Sequence, residues 1–546
     1  MVAALEAGAA ADAPFLTLHL GKEPEPLDAR STLAGAWRYG ALLRSVGVEP
    51  GDRVPLLMQT SADFVHALLG CMMVGAVPAP LASPMTFGGV GRYLTNLAHV
   101  IEDSGARVIV TTPKFRDAMA EDERFRQLLQ HALVPEDVTG APPSDPRSPS
   151  IDPTHTALLQ YTSGTTGRPK GVVVSHRALV SNAFAIAAGL RMGPTDVGVG
   201  WLPLFHDMGL IGILLTAVCH PYPIHFMRPE GFVMRPDRWL KLVHSARGTL
   251  SAAPNFAYDL CVARGKHDLP DDGLSSWRVA LNGSEQIHAA TLDRFQNRFG
   301  PMGFRNDAMF PVYGMAENTL AVTFPRLDAK LEMLPVDRAE LENRGRVVES
   351  SSSDAYRAVS VGFPVAGASV KVTDDEGQVV REGFVGEVLV SGASLMDGYY
   401  GNAEATEAVL KDGWLLTGDL GFMHRGRLYI CGRKKELIIK GGRNVYPYDV
   451  ERVAAEVIAA GGGVAAFARP NEDTGTDDLV VVAETREKDA AAREELVKQI
   501  RGDLLAVLSV KADDIHLWPM GSLPRTTSGK IKRAECRRTL EKGGPA

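Results

Sequence analysis

Apolar and polar positions in the first part of the chain follow two alternating periods, that of a helix and that of a short buried strand. In 28–48 the apolar side chains recur at helical spacing, and the next residues, GDRVPLLMQ, combine a turn with a strand-like apolar run. The stretch 61–77 repeats this order, with Ser61 in the position of a helix N-cap, and 97–112 repeats it again. Helices and strands that alternate in this way predict an α/β fold with largely parallel sheets.

The pattern changes towards the C-terminus. Strand-like runs separated by glycine turns, such as GEVLVSG and GRLYICG, predict a β-rich subdomain. After GRKKELIIKGGRNVYP come a predicted helix over 448–459, two predicted strands, a predicted helix over 489–508 and a basic tail. We therefore predict a large N-terminal domain, 1–434, with mixed and parallel sheets, helices and the β-rich subdomain, followed by a small, mobile α+β C-terminal domain, 435–546.

Composition and charge narrow the possible functions. The chain has 546 residues, too many for one core, and its 45% apolar and 23% charged residues are typical of soluble globular proteins. A formal net charge of −7 argues against nucleic acid as the main partner. The five cysteines are far apart and lack metal-ligand spacing, which predicts reduced thiols in the cytoplasm. The N-terminus lacks signal-peptide features, and the longest apolar run, 209–219, is too short to span a membrane and predicts a buried helix.

One short segment carries the first chemical signal. Residues 161–171, YTSGTTGRPKG, follow a predicted strand and precede the β-branched run VVVS, so the loop joins strand to strand and the next helix starts at Ser175. A Walker loop opens directly into a helix instead, which disfavours a P-loop NTPase. The alternative is an ordinary polar hairpin loop. The side chains that nevertheless suit a polyphosphate are those of Thr162, Ser163, Thr165, Thr166 and Lys170.

This loop resembles the signature of the adenylate-forming superfamily, which includes acyl-CoA synthetases, luciferases, adenylation domains and fatty acyl-AMP ligases. Five further segments resemble the family's other motifs in the expected order. They are NGSEQI at 282–287, VYGMAEN at 312–318, LLTGDLG at 415–421, the hinge GRKKELIIKGGRNVYP at 432–447 and LPRTTSGKIKR at 523–533. The resemblance therefore covers nearly the whole chain and implies the activation of a carboxylate by ATP with Mg²⁺.

The resemblance also implies where ATP binds. Tyr313 would stack on adenine, and Asp419 would accept the ribose hydroxyls, with Arg433 beside them. Without the motifs, Tyr313 has the alternative of a core aromatic and Asp419 that of a turn residue. The remaining ATP-binding candidates, in the phosphate loop and in the two adenine segments, are Thr162, Ser163, Gly164, Thr165, Thr166, Gly167, Lys170, Gly283, Ser284, Glu285, Gly314, Met315 and Ala316.

Four residues are candidates for catalysis and movement. Lys530 would be the cation over the carboxylate and the α-phosphate, where charge accumulates. Glu317 would hold Mg²⁺, a hard cation that prefers oxygen ligands. His206 would gate the carboxylate entrance, with a core histidine as its alternative, and Lys435 would be the hinge about which the C-terminal domain turns.

Three segments resemble the fatty acyl-AMP ligase branch: WLPLFHDMGLIG, EGFVMRPDRWLKLV and the insertion region 318–361. In that branch the insertion braces the large domain against the small one and hinders the use of CoA. The implied reaction joins a medium- or long-chain fatty acid to AMP and then transfers the acyl group to the phosphopantetheine thiol of an acyl carrier protein, usually for polyketide or lipopeptide assembly. Two alternatives stay open, an acyl-CoA synthetase and a non-catalytic binding paralogue.

Overall fold

The computed structural model describes residues 2–10, 14–82, 90–140, 149–162, 169–265, 268–327, 329–353, 355–440, 442–458, 462–471, 476–526 and 529–545. The predicted α/β class is confirmed, because helices alternate with strands through the first part of the chain. The elements up to residue 140 are α1 (Val2–Ala10), β1 (Pro14–His19), β2 (Glu25–Asp28), α2 (Ala29–Ser45), β3 (Arg53–Leu56), α3 (Ala62–Met73), β4 (Val77–Pro80), α4 (Val90–Ser104), β5 (Val108–Val110), α5 (Pro113–Ala120), α6 (Glu123–Leu128) and β6 (His131–Leu133).

The middle of the chain continues the alternation. A π-helix, Leu210–Leu215, lies between α8 and α9, so the predicted buried helix at 209–219 is confirmed with a local widening of its turns. The other elements are β7 (Thr156–Thr162), β8 (Lys170–Ser175), α7 (His176–Gly189), β9 (Gly198–Gly200), α8 (Asp207–Gly209), α9 (Thr216–Cys219), β10 (Ile224–Met227), α10 (Pro229–Met234), α11 (Asp237–Ser245), β11 (Leu250–Pro254), α12 (Asn255–Arg264), β12 (Val279–Gly283), α13 (Ala289–Phe299), β13 (Met309–Pro311), β14 (Tyr313–Gly314) and β15 (Ala321–Phe324).

Two sheets of this N-terminal part are largely parallel, as predicted. Within the described residues, one sheet has the strand order β13-β12-β11-β9-β10-β1-β2, parallel except for the β1–β2 pair, and the other is the parallel sheet β4-β3-β5-β6. Helices cover these sheets because their apolar faces need burial. Ser61 and Ser175 cap α3 and α7 as predicted, since each hydroxyl accepts a hydrogen bond from an amide in the first turn.

The β-rich subdomain follows. Most of its strands join β14 and β15 in one antiparallel sheet, whereas β20 pairs with β8. The predicted insertion region contributes a strand and a helix: β16 pairs with β17, and Leu334, Val336 and Leu341 are buried against this sheet. The elements are β16 (Met333–Val336), α14 (Arg338–Arg344), β17 (Tyr356–Pro364), β18 (Ala368–Thr373), β19 (Gly386–Gly392), β20 (Gly398–Tyr399), α15 (Ala403–Val409), β21 (Leu410–Lys411), β22 (Trp414–His424) and β23 (Arg427–Arg433).

The C-terminal part has a core of its own, built around Val450, Val481 and Leu504. It is an α+β unit in which β27 pairs antiparallel with β26 and parallel with β28. None of the described helices is both long and apolar enough to cross a membrane. The elements are β24 (Ile438–Lys440), β25 (Arg443–Val445), α16 (Pro447–Val457), β26 (Val464–Asn471), β27 (Thr476–Thr485), α17 (Ala490–Leu508), β28 (Asp514–Pro519) and α18 (Arg533–Glu541).

Candidate active site

A cleft of about 1100 Å³ lies where the C-terminal part meets the carboxyl ends of the parallel strands. Such edges are where α/β sheets usually bind ligands. Most of the predicted site residues that the structure describes line this one cleft. They are Thr162, Lys170, His206, Ser284, Glu285, Tyr313, Gly314, Met315, Ala316, Glu317, Asp419, Arg433, Lys435 and Lys530.

The predicted phosphate loop joins two antiparallel strands, as its sequence indicates. Thr162, the last residue of β7, lies opposite Lys170, the first residue of β8. The Walker alternative is therefore excluded by topology, since a strand rather than a helix follows the loop. The other predicted loop residues, Ser163, Gly164, Thr165, Thr166 and Gly167, lie outside the described residues.

The predicted adenine and ribose residues form a hydrogen-bonded group. The Tyr313 hydroxyl donates to Asp419 Oδ2 over 2.7 Å, and Arg433 Nε lies 3.0 Å from Asp419 Oδ1. Asp419 lies within β22, directly opposite Arg433 of β23, so the alternative of a turn aspartate is wrong. Both partners hold the Asp419 carboxylate in one orientation before any ligand arrives. The Asp419 charge in turn raises the pKa of Arg433.

Ser284 and Gly314 are two cleft-lining positions near this group where the backbone geometry is restricted. Gly283, the buried last residue of β12, does not line the cleft and packs closely against Val312. The next residue, Ser284, lines the cleft and has a left-handed backbone conformation with φ of 74°, which few residues other than glycine adopt. Gly314 is required by close approach, since a Cβ there would lie 2.2 Å from the carbonyl oxygen of Leu320.

Lys530 reaches the cleft from the C-terminal part. Its loop is closed by the Thr526 amide, which donates to the Lys530 carbonyl, and by the Thr526 hydroxyl, which accepts from the Lys530 amide over 3.0 Å. Burial lowers the pKa of the Lys530 ammonium, whereas the nearby carboxylates of Asp207 and Glu285 raise it. The same proximity acts on Asp207: burial alone would raise its pKa, but His206 and Lys530 hold it below the usual range.

His206 is the N-cap of the short helix α8, and its Nδ1 lies 2.6 Å from Asp207 Oδ1. Both residues line the cleft, and the Asp207 carboxylate interacts electrostatically with Lys530. Glu285 also lines the cleft, and its carboxylate accepts a hydrogen bond from the Phe256 amide. Burial raises the pKa of Glu285, and Lys530 opposes that rise. Lys530 thus interacts electrostatically with two carboxylates of the cleft, those of Asp207 and Glu285.

The family profile described as "AMP-binding enzyme" matches residues 7–400. This chain is an AMP-binding enzyme. Over 548 residues it is 36% identical to the long-chain-fatty-acid–AMP ligase FadD32 of Mycolicibacterium smegmatis, covering 90% of this chain and 85% of the relative. Over 507 residues it is also 36% identical to a putative acyl-CoA synthetase of Caulobacter vibrioides, covering 91% of this chain and 87% of that one.

Solved structures agree with this membership of the AMP-binding enzymes. A structure from a study of fatty acyl-adenylate ligases from E. coli and L. pneumophila matches with a TM-score of 0.92 at 34% identity, over 99% of this chain and 97% of that chain. The fatty acyl-adenylate ligase of L. pneumophila in complex with acyl adenylate and pyrophosphate matches with a TM-score of 0.75 at 29% identity, over 100% and 96% of the two chains. The predicted large N-terminal and small C-terminal domains belong to this fold.

The cleft of this AMP-binding enzyme continues as an apolar tunnel away from the charged groups. Its lining reaches Gly198 and Leu250, the first residues of β9 and β11, at the opposite edge of the parallel sheet. The tunnel lining therefore includes three of the five residues of β11, namely Leu250, Ser251 and Ala252. The other apolar side chains along it include Ile186, Leu190, Met208, Ile213, Leu281, Leu320 and Phe324.

The sequence did not identify two residues that the structure brings into the site. Tyr399 of β20 donates its hydroxyl hydrogen to Glu317 Oε1 over 2.9 Å, and its ring faces the Lys170 ammonium at 4.6 Å. Asp207, which directly follows His206 in the sequence, is a counter-charge of Lys530. For Tyr399 the only available signal was the Gly-Tyr pair after a strand-like run, which many β-turns share.

Glu317 is the predicted metal ligand, and its donor set fits magnesium. In the described parts of the chain no group of three or more histidine, cysteine, aspartate or glutamate side chains is placed to hold a metal ion. Magnesium does not need such a group, because it is usually held by one or two carboxylates together with substrate phosphates and water. A single carboxylate beside the phosphate loop is consistent with that arrangement.

Proposed function

We propose that this enzyme activates a medium- or long-chain fatty acid with ATP and passes the acyl group to the phosphopantetheine thiol of an acyl carrier protein. In the first step a carboxylate oxygen attacks the α-phosphorus, and the bond to pyrophosphate breaks. In the second step the thiol attacks the acyl carbonyl and AMP leaves. The observation that carries this proposal is the position of Lys530, a cation from the C-terminal part, in a cleft lined by the predicted nucleotide residues.

The other roles follow the family pattern. Tyr313 would stack on adenine, Asp419 and Arg433 would hold the ribose, and His206 would gate the entrance of the carboxylate. Lys435, in the 3₁₀ turn Lys434–Glu436, would be the hinge. The domain boundary would then fall at 434/435, which the separate hydrophobic core of the C-terminal part supports.

The nucleotide's phosphates would lie between the loop residues and Glu317. Thr162 and Lys170 would bind them together with Ser163, Gly164, Thr165, Thr166 and Gly167, and Glu317 would hold Mg²⁺. Bound there, the ion would neutralise phosphate charge. The segments 283–285 and 314–316 would surround the adenine.

The tunnel supports a fatty acid as the substrate. Its lining includes Leu250, Ser251 and Ala252 of β11 and the apolar side chains of Ile213, Leu281 and Leu320. Burial of an alkyl chain against such side chains contributes about 0.8 kcal/mol per CH₂ group, so a fatty acid is favoured over a short acid.

The insertion favours a carrier protein over CoA as the acyl acceptor. Helix α14 of the insertion contacts the C-terminal part through ion pairs, and a rotation of that part about Lys435 would have to break them. The acyl-CoA synthetase alternative rests on the relative from Caulobacter vibrioides that bears that description. The five cysteines are all buried thiols, which supports a reducing cytoplasm as the compartment.

Pyrophosphate release tests the first step. With ATP, Mg²⁺ and dodecanoate, the enzyme should release pyrophosphate and form acyl-AMP, and omission of the fatty acid should stop the release. A protein that binds ATP without any release would instead be the non-catalytic paralogue. Adding either CoA or a holo acyl carrier protein then shows which thiol receives the acyl group.

A further inference from the structure

Tyr399 lies between the two groups that would handle the phosphates of ATP. Its hydroxyl donates to Glu317 Oε1 over 2.9 Å. The ammonium of Lys170 lies 4.6 Å from the centroid of its ring. One aromatic side chain thus contacts both the candidate metal carboxylate and the candidate phosphate cation, whose positions in sequence are far apart.

The backbone fixes the position of this tyrosine. Tyr399 pairs with Val172 of β8, two residues after Lys170, so Lys170 and Val172 project from the same face of their strand. The Tyr399 amide also donates to the Thr406 hydroxyl over 2.9 Å. Gly398 before it has φ of 146°, and a Cβ there would lie 2.8 Å from the methyl group of Thr406. A glycine is therefore required to bring Tyr399 this close to α15.

The same segment is joined to both of its functional neighbours through the backbone. The Met396 amide donates to the carbonyl of Glu317 over 2.9 Å, and the Tyr400 amide donates to the carbonyl of Gly171 over 2.8 Å. Residues 396–400 therefore hold the Glu317 turn against the end of the phosphate loop. Tyr399 provides the side-chain contacts of this connection.

We propose that Tyr399 is a positioning residue for the ATP-binding step. This proposal rests on the proposed function, because it takes Glu317 as the metal ligand and Lys170 as the phosphate cation. The Tyr399 hydroxyl fixes the orientation of the Glu317 carboxylate. The carboxylate therefore does not have to be ordered when the metal–ATP complex binds. The ring keeps the ammonium of Lys170, an exposed residue, beside the loop through a weak attraction that phosphate oxygens can replace.

Calorimetry with ATP separates the two contacts. For each variant, the dissociation constant of ATP is measured once with EDTA and once with Mg²⁺, and the ratio of the two is the magnesium advantage. Tyr399→Phe removes only the hydroxyl, so it should leave the EDTA value unchanged and reduce the magnesium advantage about tenfold, the usual effect of losing a hydrogen bond to a metal ligand. Tyr429→Phe is the matched control, because it removes a tyrosine hydroxyl that donates to Glu332 over 3.0 Å outside the cleft, and it should change neither value.

Tyr399→Leu removes the ring as well. It should weaken ATP binding in EDTA about two- to fivefold, the effect of losing an exposed cation–π contact. In a Lys170→Ala background the same substitution should have no such effect. An equal effect with and without Lys170 would overturn the role of the ring, and thermal melting confirms that each variant is folded.

Glu317→Gln distinguishes this proposal from the function on which it rests. If Glu317→Gln loses the magnesium advantage and Tyr399→Phe keeps it, only the role of the Tyr399 hydroxyl is wrong. If Glu317→Gln keeps the advantage, the metal assignment is wrong and the Tyr399 proposal is wrong with it. Loss of the magnesium advantage in both variants, with Tyr429→Phe unchanged, supports both assignments.

Discussion

The Lys530 ammonium is held where its charge is costly unless anions are present. Burial lowers its pKa from the ordinary value of 10.5, and Asp207 and Glu285 partly offset this effect. A buried ammonium of this kind is stabilised most strongly when negative charge develops between a carboxylate and the α-phosphate, and it stabilises that charge in return. The group should act only while it is protonated, that is, below its own pKa.

Lys530→Ala should reduce fatty-acid-dependent pyrophosphate release about 10²–10³-fold, the usual effect of losing one group that stabilises developing charge. ATP affinity should change little, because Asp419 and Arg433 are intact. In the wild type the rate should fall at alkaline pH, with a midpoint below 10.5, because the lowered pKa of Lys530 brings its deprotonation into that range.

Lys532→Ala is the matched control, since this neighbouring lysine does not line the cleft and instead lies 3.6 Å from Glu535. Its rate should stay close to that of the wild type. A Lys530→Ala enzyme within a few-fold of wild type would remove Lys530 from the proposed role.

At the level of elements, the π-helix Leu210–Leu215 shapes the tunnel. Gly212 and Ile213 of this helix both line it. A Cβ on Gly212 would lie 2.9 Å from Leu320 Cδ2. Gly212 and Leu320, which both line the tunnel, therefore approach each other closely, and this narrow point leaves little room for a side chain at position 212. π-helical turns often occur at functional sites.

Gly212→Val should shorten the acyl chain that the enzyme prefers. The added methyl groups meet Leu320 across the tunnel, so the ratio of kcat/KM for dodecanoate to that for hexanoate should fall about tenfold or more, within the range for a change of a few methylene-sized groups in an apolar pocket. Pyrophosphate release with a series of fatty acids measures this ratio.

The double variant Gly212→Val, Leu320→Ala provides the control, because it reopens the space that valine fills. It should restore much of the preference for dodecanoate. If the single variant loses activity equally for every chain length, the narrow point does not select chain length and the substitution has only disturbed the helix.

At the scale of the whole molecule, four partly or largely buried charges join the insertion to the C-terminal part. Arg338 Nη1 of α14 lies 3.3 Å from Glu342 and 3.1 Å from Asp449 of α16. Glu342 also lies 2.7 Å from Arg443 Nη2 of β25. Burial raises the pKa of Glu342, and the two arginines oppose that rise. Removing one partner of such a cluster is costly in this pose, because a buried charge is left without its partner.

Arg338→Gln should therefore weaken the contact between α14 and the C-terminal part and increase acyl-CoA formation, of which the wild type should make little. A shift of about 1.4 kcal/mol in the equilibrium between this domain arrangement and the rotated one changes the population of the rotated arrangement tenfold. Product analysis with fatty acid, ATP and CoA measures the change, after adenylation by the variant has been confirmed.

Arg344→Gln is the matched control. Arg344 belongs to the same helix and forms a comparable pair, 2.6 Å from Glu340, but this pair is exposed and stays within α14. Abundant acyl-CoA from the wild type would favour the acyl-CoA synthetase alternative. No gain in Arg338→Gln with an active enzyme would mean that these ion pairs do not restrain the use of CoA.

The sequence by itself determined the local features of this protein. Periodicity predicted the α/β alternation, hydroxyl residues before apolar runs predicted the caps at Ser61 and Ser175, and the β-branched run after Lys170 predicted that a strand follows the phosphate loop. These features depend on neighbouring residues, so one segment is enough to predict them. The motifs likewise indicated the family, and most of the predicted site residues that the structure describes line the cleft. Their individual roles stay predictions.

Only the tertiary structure decided which distant groups meet. Strand register brings Asp419 opposite Arg433, and the approach of the C-terminal part brings Lys530 close enough to Asp207 and Glu285 for their charges to interact. Tyr399 reaches Glu317, 82 positions away, because β20 pairs with β8. Such contacts depend on sheet register and on packing between domains, which no periodicity within a single segment encodes.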